Sequence, residues 1–230
     1  MSREKVVVSI GGSVLVPGKD DPDYIMKLAS LLRRVSKTVQ LVVVCGGGKI
    51  ARYYTVTGKE VGGTSFECDL LGIGATRLNA QLLATALGGI SLTDIPLTAE
   101  EAAKRSAPGK IVIMGGTVPG HTTDAVAAMV ARELDADRIV NATSVDAVYS
   151  EDPKINEHAK RFSRMTIEEL GAIVNREHMA GQNGVFDPLG IKIAKEENID
   201  ILIVDGRNLD ELKNAILGKN IFGTYVSSRR

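Results

Sequence analysis

The sequence predicts an α/β fold built on a mostly parallel sheet, with helices over both faces. Runs that read as strands alternate with runs that read as helices over nearly the whole chain. The strand runs are apolar almost throughout, which suits strands covered on both faces. Three glycine clusters directly follow such runs, and ligands of parallel sheets bind at the carboxyl ends of strands.

Val6-Val7-Val8-Ser9-Ile10 is rich in β-branched residues and reads as the first strand, closed by Gly11 and Gly12. Residues 24–35 place Ile25, Leu28, Leu31, Leu32 and Val35 on one helical stripe. Leu41-Val42-Val43-Val44 is the second strand. Residues 49–54 are expected to be helical and 58–65 a glycine-rich loop. A long helix is expected over 69–87, although Gly72 and Gly74 weaken its first turns. A short strand is expected over 90–92. Thr98-Ala99-Glu100-Glu101 resembles a shortened capping box that opens a brief helix.

Further along, 110–114 reads as a strand, 123–134 as an alanine-rich helix and 138–142 as a strand. Ser163 and Thr166 compete as N-cap of a helix over 167–174. Pro188 opens a helix over 188–196. A strand over 200–204, a helix over 208–217 and a short strand within 223–228 complete the reading.

Composition narrows the function classes. A chain of 230 residues with 44% apolar content fits one domain, or two lobes that share a sheet. Zero formal net charge argues against a nucleic-acid partner. Cys45 and Cys68 lie in no CxxC pair, and reduced thiols in a cytoplasmic protein are expected. His121, His158 and His178 lack ligand spacing, so no protein-held metal is expected. No run has the roughly 18 apolar residues of a membrane span, and nothing at the amino terminus reads as a signal peptide.

The glycine clusters carry the chemistry. They are Gly11-Gly12-Ser13, then Gly46-Gly47-Gly48-Lys49 with Arg52 beyond, then Gly115-Gly116 continuing through Thr117, Val118, Pro119, Gly120, His121, Thr122 and Thr123. Glycine reaches left-handed backbone angles and lacks a Cβ, so amide groups can converge on an anion. One such turn alone is as consistent with an ordinary bend. Three at strand ends, with hydroxyls and cations nearby, point to phosphate binding. Neither GxxxxGK[ST] nor GxGxxG is present.

A fourth segment, Thr143 to Asp152, follows a strand and offers Thr143, Asp146, Tyr149 and Asp152 as a wall for a base and ribose. A solvated loop is equally consistent with it. Phosphoryl transfer needs placed donors and cations where charge moves. Lys5, Lys49, Arg52, Arg77 and Lys192 are the cation candidates, and Asp124 and Asp146 could orient a cation. Few acids flank the turns, so Mg²⁺ is expected to arrive on nucleotide phosphates.

Over its full length the chain resembles the archaeal-type uridylate kinases of the amino-acid kinase superfamily. The resemblance rests on the three glycine segments, on Gly72-Ile73-Gly74-Ala75-Thr76-Arg77-Leu78-Asn79-Ala80 and on Asp187-Pro188-Leu189-Gly190-Ile191-Lys192, in that order. It implies a three-layer αβα domain over 1–230, with an acceptor lobe over roughly 1–135 and an ATP lobe over 136–230. It also implies ATP- and Mg²⁺-dependent conversion of UMP to UDP in the cytoplasm, a step of pyrimidine nucleotide (CTP) synthesis, by a homohexamer built from dimers.

Carried onto this chain, Gly12 and Ser13 meet the phosphates. UMP falls on Gly47, Asp69 and residues 117–123; Arg77, two turns on from Asp69 along its helix, could by that spacing meet the UMP phosphate. ATP falls on Gly48, Arg52, Thr143, Ser144, Tyr149 and Asp152. The superfamily's carboxy-terminal catalytic lysine matches Lys192. Two departures stand out. Ser144 replaces an acid or amide of several members, and Ile10 precedes the first glycine where others place a nearby lysine. Asp146 or backbone groups are therefore expected to take the orienting role. The alternatives are another small phosphate or carboxylate kinase of the superfamily, an isoprenyl phosphate kinase among them, and a non-catalytic nucleotide binder.

Overall fold

The computed structural model describes residues 3–18, 21–91, 94–153, 155–179 and 184–228. Its strands, in chain order, are β1 (Lys5–Ile10), β2 (Gln40–Cys45), β3 (Ile111–Met114), β4 (Arg138–Thr143), β5 (Val148–Tyr149), β6 (Arg161–Phe162), β7 (Arg164–Thr166), β8 (Asp200–Asp205) and β9 (Thr224–Ser227). Seven of them form one sheet in the order β3-β2-β1-β4-β8-β9-β7, while β5 and β6 pair separately. All neighbours in the large sheet are parallel except β8 and β9, so the expectation of a mostly parallel sheet holds.

The helices are α1 (Gly12–Leu15), α2 (Asp21–Val35), α3 (Gly48–Glu60), α4 (Ser65–Leu87), α5 (Ala99–Arg105), α6 (Thr123–Leu134), α7 (Ile167–Met179), α8 (Pro188–Glu196) and α9 (Leu209–Ile216). The pleat sends alternate side chains of each strand to opposite faces. Val7, Val42, Val112 and Ile139 meet α5, α6, α7 and α8 on one face. Val6, Val8, Leu41, Val43 and Val140 meet α1, α2, α4 and α9 on the other. Val6, Val7 and Val8 are all fully buried, which is why this strand shows no polar alternation.

Several boundaries differ from the sequence reading, each for a local reason. Residues 58–60 are helical rather than looped, because Gly58 admits α4 closely. A Cβ there would lie 2.8 Å from Leu71 Cδ1. The long helix starts at Ser65, where Thr64 and Glu67 form a reciprocal capping box. Thr166, not Ser163, caps α7: its hydroxyl accepts from the Glu169 amide at 3.2 Å. Residues Gly88–Ile90 form a 3-10 turn and Ser91 makes only an isolated bridge to Ile111, in place of a strand; Leu92 lies outside the described residues.

Candidate functional site

The strand order sets the site's layout. At the carboxyl ends the chain presents, side by side, Gly115-Gly116, then Gly46-Gly47-Gly48, then Gly11-Gly12-Ser13, then Thr143-Ser144, then Asp205-Gly206. The chain winds outward from β1 through β2 to β3 and returns to the other side of β1 as β4. The crevice between β1 and β4 is thus the topological switch point of the sheet.

The first two glycine turns touch backbone to backbone. A Cβ on Gly12 would lie 2.2 Å from Gly48 N and 2.5 Å from Gly47 C. Gly48 sits at φ +61, a left-handed angle that glycine adopts without cost. Gly46 N–H donates to the Ile10 carbonyl at 2.8 Å, and Gly11 N–H to the Ala142 carbonyl at 2.9 Å. Beyond this seam Ser13, Lys49, Arg52 and Tyr53 line a common open cleft. The Lys49 ammonium donates to the Pro17 carbonyl at 3.3 Å.

The third turn is held against α4. Thr76 Oγ accepts the Gly116 amide at 2.6 Å and donates to the Ile73 carbonyl at 2.6 Å. Asn79 Nδ2 donates to the Gly46 carbonyl at 2.8 Å, so one helix braces two turns. Arg77 donates through Nε to the Gly116 carbonyl at 3.0 Å and through a terminal nitrogen to the Thr117 carbonyl at 2.9 Å. Its guanidinium thus props the loop.

Between α4 and this loop lies a cleft of about 370 Å³, lined by Gly47, Asp69, Thr76 and residues Val118, Pro119, Gly120, His121, Thr122 and Thr123, among others. Asp69 Oδ2 accepts the Gly120 amide at 2.9 Å. His121 Nδ1 is buried without a hydrogen-bond partner among the described residues.

On the other side of the switch point, Arg207 clamps Asp205 and also donates to the Ser144 carbonyl at 3.0 Å. Burial raises the Asp205 pKa, but the hydrogen bonds from Arg207 outweigh it and hold the group below the usual carboxylate range. Tyr149 donates its hydroxyl to Asp146 at 3.1 Å, and Arg161 Nε pairs with the same carboxylate at 3.3 Å. Asp146 therefore orients Tyr149 and a cation, the Arg161 guanidinium. Asp152 accepts the amides of Ile155 and Asn156 through its carbonyl, a local turn beside Tyr149.

The family model described as the amino acid kinase family matches residues 4–205. The chain belongs to the amino acid kinase family. Among relatives, a uridylate kinase of Methanococcoides burtonii is 46% identical over 226 residues, covering 98% of this chain and 96% of that protein. One from Methanocaldococcus jannaschii is 41% identical, covering 96% and 99%. The crystal structure of uridylate kinase from Archaeoglobus fulgidus superposes with a TM-score of 0.87 at 39% identity, covering 97% of this chain and all of that one. A UMP kinase structure from Bacillus anthracis shares the fold, with a TM-score of 0.81 at 22% identity and coverage of 100% and 98%.

Within this amino acid kinase fold, Lys192 is an exposed residue of α8, the helix whose N-cap Asp187 accepts from the Thr122 hydroxyl. It lies on the outer side of α8, between the buried Ile191 and Ile193, and its exposed ammonium is 3.9 Å from Glu196. Sequence reading also passed over Thr76 and Asn79. Both are polar residues fully enclosed on the apolar stripe of a helix that also carries Ala80 and Leu83, and that misfit was the available signal.

A last cluster lies under the first turn. Ser9, buried at the end of β1, donates to Asp124 Oδ1 at 2.7 Å. Asp187 accepts from the Thr122 hydroxyl at 2.8 Å and caps α8 through the Leu189 and Gly190 amides. Burial pushes the Asp124 carboxyl up to about 6; the Ser9 hydroxyl opposes the shift and nearby Asp187 adds to it. Among the described residues no three His, Cys, Asp or Glu side chains gather as a metal cage. No helix among them is long and apolar enough to cross a membrane.

Proposed function

We propose that this chain transfers the terminal phosphoryl group of ATP to UMP, giving UDP and ADP. The observation that carries the reading is the row of strand ends, with an Asp69-lined cleft on one side of Gly11-Gly12-Ser13 and the Thr143-Ser144 shelf on the other. In this reading the row serves as acceptor site, phosphoryl centre and donor site, side by side. The choice of UMP leans on the uridylate kinases 41% and 46% identical to the chain.

In this reading Gly47, Asp69 and residues 117–123 hold UMP. Asp69 keeps one oxygen on the Gly120 amide and offers the other to a ribose hydroxyl, where its charge stays away from the phosphate. His121 Nδ1 finds its missing partner in the bound nucleotide. Arg77 acts by fixing the loop. ATP lies over Gly48, Arg52, Thr143, Ser144, Tyr149 and Asp152, with Gly12 and Ser13 at the transferring group. Lys49 and Arg52 share a cleft with Ser13, and we assign them, ahead of Lys192, the cationic role. Mg²⁺ comes with the nucleotide phosphates, which suits a site without a carboxylate cage. The acceptor groups fall within 1–135 and the donor wall within 136–230, on one continuous sheet. Gly48 and Arg52 reach across from the first half.

Given ATP, Mg²⁺ and a panel of UMP, CMP, isopentenyl phosphate, acetylglutamate and carbamate, ADP release is expected to be fastest with UMP. Equal or faster release with another acceptor would overturn the reading. Asp69→Asn is expected to raise KM for UMP about tenfold or more, the worth of a charge-assisted hydrogen bond, and to leave KM for ATP unchanged.

The reading includes a homohexamer. Val61, Phe66, Leu78 and Leu82 leave large apolar side chains in solvent along α3 and α4, an area a lone protomer rarely leaves open. Light scattering is expected to give six protomers; a monomer at micromolar concentration would remove this part.

A further inference from the structure

The end of the sheet opposite the glycine turns carries a concave pocket of about 490 Å³. Its lining includes Arg138 and Asp200, the first residues of β4 and β8, together with Arg164, Lys219 and Tyr225. The six residues of β4 separate it from Thr143 by about 17 Å, so it is no part of the phosphoryl site. Arg164, Tyr225 and Leu202 are register partners across β7, β9 and β8 and share one face of the sheet. We propose that this pocket is a second ligand site, for a small multiply charged anion such as a polyphosphate group.

The lining balances three carboxylates, Glu4, Asp137 and Asp200, against three cations, Arg138, Arg164 and Lys219, so the groups left free to meet a ligand, not net charge, select its sign. Every carboxylate at the pocket is already engaged. Glu4 pairs with the Arg138 guanidinium. Asp137 accepts the Lys5 amide at 2.7 Å. Asp200 accepts from the Tyr225 hydroxyl, and from the Ser228 amide and hydroxyl at 2.9 and 2.8 Å. Asp137 and Asp200 enter no ion pair among the described residues, but their oxygens accept from neutral donors, whereas two of the cations hold no such partner. Arg164 and Lys219 are exposed and enter no ion pair among the described residues. The Arg164 guanidinium lies over the Tyr225 ring, 5.3 Å from its centroid.

Arg138 supplies the deep anchor. Its side chain is only 8% exposed, while that of Glu4 is 54% exposed. The chain passes tightly over it at Gly218, φ +64, where a Cβ would lie 2.7 Å from a guanidinium nitrogen. A burial this deep is costly for a lone cation, so Arg138 keeps an anion beside it at all times. Glu4 fills that place from the solvent side. An incoming phosphate can take over the planar donor fork, which suits its geometry bidentately, and release Glu4 to water. Arg164 and Lys219 then meet the remaining negative charge.

The test is calorimetric titration of the full chain with inorganic tripolyphosphate. The wild type is expected to show one more binding site per protomer than an Arg164→Glu/Lys219→Glu double variant, or at least tenfold tighter binding at that site. Both side chains stand in solvent, so charge reversal spares the core. Lys219→Ala alone, on an exposed turn, is expected to weaken the site a few-fold and keeps the test open if the double variant folds poorly. Identical stoichiometry and affinity in wild type and variants would overturn the proposal, as would the absence of any uptake sensitive to Lys219.

Discussion

Gly12→Ala is expected to cut turnover at least a hundredfold and to destabilise the fold by about 1–3 kcal/mol, because the added methyl has no space. Its Cβ would stand 2.2 Å from Gly48 N, 2.5 Å from Gly47 C and 2.6 Å from the Gly46 carbonyl oxygen. All three are backbone atoms, so no side chain can turn aside to make room. The first and second turns must separate, and that shift moves the acceptor side relative to the donor side. A misplacement of about 1 Å between reacting groups is enough for a hundredfold loss. Gly11→Ala is the matched control for stability. Its Cβ would come no nearer than 3.5 Å to the Ala142 carbonyl oxygen, an ordinary contact, and its φ of −56 suits alanine. Urea titrations of the two variants should differ clearly in midpoint. Equal midpoints would mean that the two turns are not packed as described.

That contrast also marks how far the sequence could be read. Paired glycines after β1, β2 and β3 announced turns at strand ends, because apolar runs and glycine leave little else for the chain to do. Their mutual contact could not be read, since it depends on β1 lying between β2 and β4. Helix ends were legible where a cap or a proline marks them, as at Thr98, Thr122 and Pro188, and α6 and α8 fall on their expected bounds. The short strands β5, β6 and β7 were missed. They are two or three residues long, too short for a period to register.

Side-chain roles were less legible than positions. Asp69 and residues 118–123 do share a cleft, while Thr117 is not in its lining. Asp146 holds a cation, Arg161, together with Tyr149, and Arg77 donates to two loop carbonyls, partners that the sequence did not name. Lys192 matches the superfamily's carboxy-terminal lysine by resemblance, and helical phase sets where it points. Ile191, Ile193 and Ala194 take the inward face of α8, and Lys192 is left to solvent. A lysine's number along a helix says little until the buried stripe is known.

Asp124→Asn is expected to stabilise the ligand-free protein by about 2–3 kcal/mol at pH 7.5 and to lower turnover. Asp124 is drawn out of water under the first turn and titrates near 6 when folded, against about 3.9 for an unfolded chain. The folded state therefore holds an extra proton between those values, and stability falls as pH rises from about 4 to about 6. Above 6 the carboxylate is ionised in a poorly hydrated place, with Asp187 nearby adding repulsion. Asparagine keeps an oxygen to accept from Ser9, now 2.7 Å from Oδ1, and carries no charge to desolvate. The gain over wild type should be full at pH 7.5, shrink below 6 and vanish near 4, at matched protomer concentration. A gain that is absent, or independent of pH, would show that Asp124 is not strained by its burial. A charge kept at such cost between Ser9 on β1 and the Thr122–Asp187 hydrogen bond fits the proposed site, as one that trades stability for function. Lost turnover alongside the raised midpoint is what separates that trade from a plain packing defect.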